Sequence, residues 1–580
     1  MVAGKDKELI RKLALLNAIA YDGKAHFQPV LGKLLTKKPS LKTRVKRIAP
    51  VVAEIVEAIN LLSMKAQKDE VKARWPEALA KEPVKAEKKL PPLLNAEKYA
   101  QVVTRFSPNP DCVLHLGSAR AIILCHEYAK MYNGLFYLRF EDTDPRLKRT
   151  QLSFYDLIQA DLEWLDCKWD AEFIQSDRIP IYYEHAEKLI GDGNAYVCTC
   201  KTSDFRKVVL VEHACPCRDL PPHQQLSRWR KMLDGTFGEG EAVVRIKTNL
   251  NHPNPALREW PALRIIDPEK HPHPRVGSKY RVWPLYNFAC GIDDHLLGVT
   301  HIIRGKEHLT NRKRQEFMYR YFGWEYPEAI HYGRLKITGA TLSKSKIIQG
   351  MRDRMFTGWD DPRLATFIAL RKRGITPEAI RRLIIDVGPK PVDVVLSWDN
   401  LYAHNRKIID PLANRYFFVQ DPRKIVVKNA PHDLTAKIPL HPDAPKRGYR
   451  QFQVKSLKKE ASLWISSFDM NIFERRKIVR LMSLFNVQIE NVAKEVVEAI
   501  YYSESHEEAR KLEAPLIHWI PTGTGIGCSV VMPDAAITRG LAEDGCRKLE
   551  TNDIVQFERF GFARVETVDS RGLKAYYAHR

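Results

Sequence analysis

The chain has 580 residues, is 44% apolar and carries a formal net charge of +23. Because a single hydrophobic core stops growing at about 250–300 residues, this length predicts several domains. No window offers the roughly 20 apolar residues that span a bilayer, which argues against a membrane protein, and the positive charge favours a polyanionic partner, with nucleic acid the leading candidate.

Cysteine usage indicates a reducing compartment. The chain has 10 cysteines, and six of them are scattered without a pattern. This is typical of proteins with free thiols and not of a disulfide framework. The apolar N-terminal stretch is interrupted by Glu8 and Arg11 at helical spacing, so we expect no secretory signal and a cytoplasmic protein.

Residues 1–95 predict a helical N-terminal domain followed by a charged linker. Residues 7–63 place apolar positions at helical spacing between lysine-rich faces. Residues 64–95 are charged, punctuated by proline and poor in aromatic residues, which is typical of a solvated linker.

From residue 101 the pattern alternates between strands and helices. The stretches "QVVTRF" (101–106) and "GLFYLRFED" (134–142) are strand-like and flank a helix over 118–132. This order indicates a βαβ unit, the start of a doubly wound parallel sheet of Rossmann type. Residues 198–275 interrupt the alternation, and "RVWPLYNFACGIDDHLLGVTHIIRGKEH" (281–308) is expected to resume the sheet.

The remainder of the chain predicts helices and then short strands. Residues 363–387 form one or two helices, with Thr376 as an N-cap and Pro377 at the first helical position. After residue 400 short strands alternate with turns, which favours β-barrels. The predicted fold class is therefore multidomain, α/β plus β.

The stretch "VLHLGSAR" (113–120) leads from a strand into a helix and is the first candidate site. A helix N-terminus presents free N–H groups and a partial positive charge, which suits phosphate. Gly117 lets the backbone approach a ligand, Ser118 can cap the helix, and His115 adds a donor beside it. Alone, these residues describe an ordinary capped helix, and no G-x-G-x-x-G follows the strand.

The stretch "TLSKSK" (341–346) is the second candidate and follows the flexible Gly339. The hydroxyls of Ser343 and Ser345 and the cation of Lys344 suit a loop that closes on phosphates bearing developing negative charge. A Lys/Ser loop alone is usually solvated surface. Together with the upstream His-x-Gly loop, it predicts a nucleotide site.

Four stretches resemble the signatures of class I aminoacyl-tRNA synthetases, in the archaeal-type glutamyl/glutaminyl branch: "RFSPNPDCVLHLGSAR", "LRFEDTDP", "TLSKSK" and "GWDDPRLATFIALRKRGITPEAI". The resemblance implies activation of an amino acid by ATP with Mg²⁺, through an acyl-adenylate, and transfer to the 2′-hydroxyl of the 3′-terminal adenosine of tRNA. Two positions depart from the family pattern, because Ser118 stands where a second His is found and the lysine loop begins Thr341-Leu342.

The resemblance also implies an arrangement of domains. Beyond the N-terminal domain and linker of residues 1–95, it divides the chain into a Rossmann-type catalytic domain (96–197 and 276–345), an acceptor-binding insertion (198–275), a helical stem-contact region (346–400) and anticodon-binding β-barrels (401–580). Catalysis is expected from His115, Gly117, Ser118, Ser343, Lys344 and Ser345, with His115, the helix N-terminus and Lys344 as preorganised cations for the phosphates.

Arg304 indicates glutamate as the amino acid. A buried guanidinium opposite a neutral amide would be left unpaired, so a site for glutamate needs an Arg where a site for glutamine does not. The resemblance places Arg304 at the γ-carboxylate binder of glutamyl enzymes, where glutaminyl enzymes carry Cys. It adds Arg105 as a second carboxylate ligand, Tyr286 as a pocket side chain, Glu141 for the substrate ammonium, and Ser107 and Asn109 nearby. The expected nucleic acid is tRNA(Glu), and tRNA(Gln) stays open as a second substrate.

Four cysteines within residues 198–217 form two C-x-C pairs separated by 14 residues. This spacing is compatible with a tetrahedral structural zinc held by Cys198, Cys200, Cys215 and Cys217. His213 is an alternative ligand, and four reduced thiols without metal is the competing interpretation. The resemblance places the cluster in the acceptor-binding insertion.

Residues 406–459 contain 13 Lys/Arg against 4 Asp/Glu and predict a tRNA-binding surface. Aromatic residues that could stack on unpaired bases are interleaved with the cations, although each is more simply explained as barrel core. They are Tyr416, Phe417, Phe418, Tyr449 and Phe452.

Several other functions compete with this one. Arg304 disfavours a glutaminyl-tRNA synthetase, and the intact "HLGS" and "SKS" segments disfavour a non-catalytic tRNA-binding synthetase paralogue. A nucleotidyltransferase such as a pantetheine adenylyltransferase, or a truncated glutamyl-queuosine type synthetase, has no use for residues 400–580. Oligomeric state is not predicted.

Overall fold

The computed structural model describes residues 4–20, 23–38, 41, 44–76, 88–148, 150–431 and 434–580. The chain divides into two compact units, Met1–Lys88 and Lys89–Arg580. Among the described helices, none combines the length and apolar character needed to cross a membrane.

The first unit contains four described helices: α1 (Gly4–Ala20), α2 (Phe27–Lys37), α3 (Val45–Asn60) and α4 (Met64–Arg74). The prediction of a solvated linker from residue 64 is wrong for α4. Val71 is buried in the core of this unit, and the buried Gln67 amide donates to the carbonyls of Gly23, Ile59 and Leu62. Because only two residues of the helix are buried, its sequence carries no apolar periodicity.

The end of the predicted linker also differs from the expectation. Leu90 and Leu93 are buried in the core of the second unit, and the Leu93 N–H donates to the Tyr132 hydroxyl at 2.8 Å. Residues 77–87, which complete the predicted linker, lie outside the described residues.

The second unit begins with the predicted βαβ unit, which is confirmed. Strand β1 pairs in parallel with β2 and β2 with β3, and all four residues of β1 are buried, as in a sheet covered on both faces. The elements are β1 (Val103–Phe106), α5 (Ala119–Met131), β2 (Leu135–Phe140), α6 (Leu152–Trp164), β3 (Ala171–Ile174) and α7 (Ile179–Gly191).

A four-stranded antiparallel sheet then interrupts the parallel one, in the order β4-β5-β6-β7. Its region contains β4 (Ala195–Cys198), α8 (Thr202–Leu210), α9 (Pro222–Leu233), β5 (Val243–Ile246), β6 (Pro261–Ile265), β7 (Val282–Pro284) and α10 (Tyr286–Leu296). The start of the stretch 281–308 was expected to resume the parallel sheet, but β7 pairs with β6 because Trp283 is buried in the same core as Trp229 and Trp260.

The parallel sheet continues with β8 (His301–Gly305), α11 (Leu309–Phe322) and β9 (Glu328–Tyr332). Strand β8 lies beside β1, since the Thr300 N–H donates to the Val103 carbonyl at 3.0 Å and the Val103 N–H donates to Thr300 Oγ1 at 2.8 Å. The strand order is therefore β3-β2-β1-β8-β9. Connections leave β1 and β8 in opposite directions, and ligands bind at such a switch point, beyond the carboxyl ends of the strands.

Short strands and helices follow the parallel sheet: β10 (Leu335–Ile337), α12 (Lys344–Arg352), α13 (Phe367–Lys372), α14 (Pro377–Val387), β11 (Val394–Leu396) and α15 (Trp398–Ile409). Strands β10 and β11 pair in parallel. The predicted cap of α14 is confirmed, because the Thr376 side chain accepts from the Ala379 N–H at 3.2 Å and Pro377 is the first helical residue.

The C-terminal part is rich in β-structure, as predicted, with one seven-stranded and one eight-stranded sheet that each cover a hydrophobic core. Its elements are β12 (Asn414–Tyr416), β13 (Phe418–Gln420), β14 (Pro422–Lys428), β15 (Leu434–Pro439), β16 (Tyr449–Val454), β17 (Ser456–Leu457), β18 (Glu460–Ser466), α16 (Met470–Arg475), β19 (Ile478–Leu481), β20 (Asn486–Val492), β21 (Val496–Ser503), α17 (His506–Lys511), β22 (Leu516–Ile517), β23 (Ile520–Pro521), β24 (Ile526–Val531), β25 (Ile537–Ala542), β26 (Ile554–Phe557), β27 (Gly561–Asp569) and β28 (Gly572–His579).

Candidate functional site

The loop between β1 and α5 folds around His115. The Gly117 N–H donates to His115 Nδ1 at 3.0 Å, and a Cβ at position 117 would lie 2.7 Å from His115 Cε1, so a side chain there would displace the His115 ring. The two residues before α13 contact the loop through the backbone. The Leu116 N–H donates to the Ala365 carbonyl, and His115 forms a β-bridge with Thr366.

His115 is a neutral hydrogen-bond donor in this structure. Burial lowers the pKa of its imidazole, because a low-dielectric environment disfavours the charged ring. Since Nδ1 accepts from Gly117, the proton of the neutral ring resides on Nε2. In this structure the ring is therefore an uncharged donor, and the role of His115 toward phosphates stays a prediction.

Ser118 occupies the N-cap position of α5, but its side chain makes no capping hydrogen bond. The prediction that Ser118 caps the helix is therefore wrong. Its φ and ψ angles of −77° and −22° are already helical, whereas a capping side chain usually requires an extended backbone.

The lysine loop contacts the first loop directly. Lys344 Nζ lies 2.5 Å from Asp111 Oδ2, and Leu342 packs near Gly117. Ser343 precedes α12 and its Oγ lies 3.1 Å from Ser345 Oγ. The structure therefore brings together the two elements that were predicted to bind phosphates, with the Lys344 cation held by a carboxylate.

Arg304 lies at the carboxyl end of β8 and is only 5% exposed. Its Nη2 donates to Tyr326 Oη at 2.9 Å and to Gln315 Oε1 at 3.1 Å, and its Nη1 to Tyr286 Oη at 3.4 Å. Its buried Nε has no hydrogen-bond partner among the described residues. In the part of the chain that the structure describes, no carboxylate comes within ion-pair distance of Arg304. A buried cation in this state is suited to an anionic ligand.

Arg105 is placed differently from Arg304. Its Nε and Nη2 donate to the two oxygens of Asp294 at 3.0 and 3.2 Å, and both residues are buried. Arg139 also donates to Asp294, at 2.7 Å. Because the charge of Arg105 is already paired with Asp294, the structure does not present this residue as an open carboxylate ligand like Arg304.

Polar groups near Glu141 lack partners, which is typical of a ligand site. Glu141 Oε1 accepts from Arg139 Nη2 at 3.1 Å, and the Glu141 carbonyl accepts from Asn109 Nδ2 at 2.6 Å. Asn109 Oδ1 and Ser107 Oγ are buried without a hydrogen bond. Burial raises the pKa of Glu141, and the positive charge of Arg139 opposes that shift.

Tyr286 lies between Arg304 and His308, with its hydroxyl 3.2 Å from His308 Nδ1. Burial, together with the nearby charges of Arg304 and Arg105, lowers the pKa of His308 to about 4, so this ring is neutral. Among these three side chains, Arg304 is therefore the one that carries a charge.

The sequence did not predict several partners of these side chains: the buried Arg139, Asp294 and Gln315, and the partly buried Asp111 and Tyr326. One signal was available, because "NFACGIDDHLL" (287–297) places two acidic residues in an otherwise apolar helix, which implies buried cations as partners. Gln315 and Tyr326 carried no such signal, because they are uncharged and distant in sequence from Arg304.

The four predicted cysteine ligands converge. The Sγ atoms of Cys198, Cys200, Cys215 and Cys217 all lie within 4.8 Å of one another. The Cys198–Cys215 and Cys200–Cys217 sulfurs are 3.9 and 3.7 Å apart, close to the separation of about 3.8 Å expected for tetrahedral zinc with Zn–S bonds of ~2.3 Å. His213 is exposed and its Nδ1 faces the Val211 carbonyl. The structure therefore does not support His213 as an alternative ligand.

Among the aromatic residues of the predicted tRNA surface, only Tyr449 is exposed, at 50%, and it lies against Lys437 with the ammonium 4.4 Å from the ring centre. The other four, Tyr416, Phe417, Phe418 and Phe452, are buried in the two C-terminal cores. These four serve as core, and Arg450, which lies over the Phe417 ring, is buried as well.

Comparisons with known proteins agree with this architecture. The family described as tRNA synthetases class I (E and Q) matches residues 101–411 with its catalytic domain and residues 413–503 and 516–566 with its anti-codon binding domains. The chain is 52% identical over 580 residues to the glutamate-tRNA ligase of Pyrococcus furiosus, covering 99% of this chain and 100% of that one. It is 52% identical over 579 residues to the enzyme of Thermococcus kodakarensis (99% of each) and 44% over 574 residues to that of Methanothermobacter thermautotrophicus (99% of each). The chain therefore belongs to the E and Q family of class I tRNA synthetases.

Proposed function

We propose that this protein is a glutamate-tRNA ligase that forms glutamyl-adenylate from glutamate and ATP and transfers the glutamyl group to tRNA(Glu). The observation that carries the choice of glutamate is Arg304, a buried guanidinium without a carboxylate partner among the described residues. The γ-carboxylate of glutamate would satisfy this group, whereas the amide of glutamine would leave the charge buried and unpaired.

In the first step an oxygen of the glutamate α-carboxylate attacks the α-phosphorus of ATP. A new P–O bond forms, the bond to the bridging oxygen breaks, and pyrophosphate leaves. Negative charge that builds on the phosphates is met by the Nε2–H of His115, the N-terminus of α5 and Lys344, while Mg²⁺ bound to the ATP neutralises part of it. Lys344 reaches the phosphates by exchanging Asp111 for a phosphate oxygen, and the hydroxyls of Ser343 and Ser345 are further donors.

Glu141 and the unpaired Ser107 and Asn109 groups support a site for the glutamate ammonium and carboxylate. In the second step the 2′-hydroxyl of the terminal adenosine of tRNA attacks the glutamyl carbonyl, and AMP leaves. The basic residues of 406–459 suit contact with the phosphates of that tRNA.

We also propose a structural zinc at Cys198, Cys200, Cys215 and Cys217. The sulfur separations fit the ion, and four protein ligands leave no open position for a substrate. The metal would link β4 to the loop that precedes α9 and stiffen this part of the insertion. All ten cysteines are free of disulfides, which supports a cytoplasmic location.

The amino-acid assignment is tested by ATP/pyrophosphate exchange with glutamate or glutamine, with and without tRNA(Glu) or tRNA(Gln). We expect exchange with glutamate, and a rise of about 100-fold or more in the KM for glutamate for Arg304→Gln, since a desolvated charge pair is lost. Arg320→Gln, at an exposed position of the following helix α11, is the control and should leave KM unchanged. Exchange with glutamine alone would overturn the assignment.

The zinc site is tested by metal analysis of the purified protein. About one zinc per chain is expected, and Cys215→Ser should lose it, whereas Cys112→Ser, outside the cluster, should retain it. A wild-type protein purified without chelator that holds no zinc and takes none up would contradict the site.

A further inference from the structure

The groups that hold Arg304 in place are uncharged. Gln315 of α11 is fully buried and its Oε1 accepts from Arg304 Nη2 at 3.1 Å. The Tyr326 hydroxyl accepts from the same nitrogen at 2.9 Å and donates to Gln315 Oε1 at 2.8 Å. The three side chains thus form a closed triangle of hydrogen bonds, in which a buried guanidinium is oriented without being neutralised.

The orientation of Gln315 is itself fixed. Its Nε2 points to the Asn287 carbonyl at 3.4 Å, so its Oε1 faces Arg304 and Tyr326. The alternative amide orientation would direct an N–H at the Arg304 N–H groups, which cannot accept a hydrogen bond. The position therefore selects an acceptor that carries no charge.

The neighbouring arginines show the opposite arrangement. Arg105 and Arg139 both donate to Asp294, and Arg139 also contacts Glu141. Each of these two buried guanidinium groups is thus paired with a carboxylate, whereas no carboxylate of the described residues lies within ion-pair distance of Arg304. The difference between the three arginines lies in the residues that contact each guanidinium.

We propose that Gln315 and Tyr326 are positioning residues for amino-acid specificity, which hold the Arg304 guanidinium through neutral acceptors so that its charge stays available to the substrate. This inference rests on the proposed glutamate-tRNA ligase activity. A carboxylate at position 315 would form an ion pair with Arg304 from the side of α11, as Asp294 does with Arg105. The pocket would then present a neutralised ion pair, and its preference for an acidic over an amide side chain would fall.

The test compares Gln315→Glu with Gln315→Met and Tyr326→Phe in ATP/pyrophosphate exchange with tRNA(Glu) present. Glutamate and its isosteric competitor glutamine are each titrated, and KM for ATP is measured in parallel. For Gln315→Glu we expect KM for glutamate to rise by at least about tenfold, as a charge-assisted hydrogen bond is lost. We expect the ratio of kcat/KM for glutamate to kcat/KM for glutamine to fall by more than this factor. KM for ATP should stay unchanged.

The two other variants separate charge from position. Gln315→Met keeps the volume and adds no charge, and Tyr326→Phe removes one acceptor from Nη2. Both should raise KM for glutamate by a smaller factor, about two- to tenfold, without any gain in glutamine use. Tyr326→Phe also keeps the test available if a buried carboxylate at 315 prevents folding, which thermal melting reports.

The outcomes distinguish this inference from the proposed function. Wild-type protein without glutamate-dependent activity would contradict the proposed function itself. Wild-type activity on glutamate, combined with a folded Gln315→Glu variant of unchanged glutamate/glutamine ratio, would overturn only the role of Gln315. An equal loss for Gln315→Glu and Gln315→Met would also overturn it, because packing alone would then explain the effect.

Discussion

Lys344 and Asp111 form an ion pair, with Nζ 2.5 Å from Oδ2, that joins the first residue of α12 to the loop after β1. Asp111 is followed within four residues by His115, so one contact connects both elements that are proposed to bind phosphates. The lysine side chain is about one third exposed, at 34%, so solvent and ligand both reach the pair. An incoming triphosphate therefore has to compete with Asp111 for the ammonium group.

Asp111→Asn should lower the KM for ATP. The substitution keeps the side-chain shape but removes the charge that competes for Lys344, and a partly exposed ion pair of this kind contributes about 0.2–1 kcal/mol. We therefore expect a decrease of about two- to fivefold in KM for ATP, measured by pyrophosphate exchange at saturating glutamate.

Glu498→Gln is the matched control, because it removes the acidic partner of a lysine, Lys428, in another exposed ion pair, with the two atoms 3.2 Å apart. It should leave the KM for ATP unchanged. An increase in KM for Asp111→Asn would show that the Asp111 carboxylate assists ATP binding and does not compete with it.

Gly117→Ala should reduce kcat strongly while the protein stays folded. A Cβ at position 117 would lie 2.7 and 2.8 Å from His115 Cε1 and Nδ1, so the ring has to move. His115 Nδ1 then loses the hydrogen bond from the Gly117 N–H, which fixes the tautomer. His115 is proposed as a donor in the reaction, and misplacing such a donor by about 1 Å costs on the order of 100-fold in rate. Single-turnover formation of the adenylate reports the effect.

Gly191→Ala serves as the comparison for that substitution, since a Cβ there meets nothing within 4 Å and the residue ends a helix. Its activity should match that of the wild type. Equal activity of Gly117→Ala and wild type would mean that the position of the His115 ring is unimportant for catalysis.

The sequence predicted the elements of the catalytic region better than the contacts between side chains. The strands before His115 and before Glu141 were identified because parallel strands buried on both faces are short, largely apolar runs. The ligand set of the cysteine cluster was also predicted, since the C-x-C spacing limits where the thiols can be. In both cases the signal is local in sequence.

The partners of Arg105 and Arg304 could not be predicted in this way. Asp294 lies 189 positions from Arg105, and Tyr326 lies 22 positions from Arg304, so both contacts depend on how helices pack across the sheet. The helix α4 was missed for a related reason, because its buried Gln67 contributes hydrogen bonds to carbonyls and not an apolar pattern. Tertiary contacts of polar side chains leave little trace in one sequence.

Asp294→Asn should destabilise the second unit. Asp294 is buried and accepts hydrogen bonds from both Arg105 and Arg139, which hold its pKa well below the usual range for an aspartate. Loss of the carboxylate leaves two buried cations short of a partner, which costs about 3–5 kcal/mol. Thermal melting followed by circular dichroism should show a midpoint lower by roughly 3–5 °C, because the unfolding entropy of a unit of this size is about 1 kcal/mol/K.

Asp360→Asn makes the same chemical change in the exposed pair with Lys372 and should shift the midpoint by no more than about 2 °C. If the two variants melt alike, the buried network around Asp294 contributes no more to stability than a surface ion pair.

Asp161 on α6 should make stability depend on pH between about 4 and 7. The residue is 1% exposed, and its Oδ2 is buried without a partner. Burial raises the pKa of its carboxyl to about 7, and the charge of Arg371 and the backbone N–H of Leu114 offset only part of that shift. Because the folded state binds the proton more tightly than the unfolded chain, stability from this group is present at low pH and is lost as pH rises towards 7.

Asp161→Asn removes this dependence, since the amide stays neutral at every pH. At pH 8 the free energy of unfolding of the variant should be roughly 2–4 kcal/mol higher than that of the wild type. At pH 4 the two free energies should be similar. Urea titrations at both values measure the difference, with Asp156→Asn, an exposed aspartate of the same helix, as the control. Because Leu114 directly precedes His115, a wild type that is instead more stable than the variant at pH 8 would identify the ionised carboxylate as an anchor of the catalytic loop.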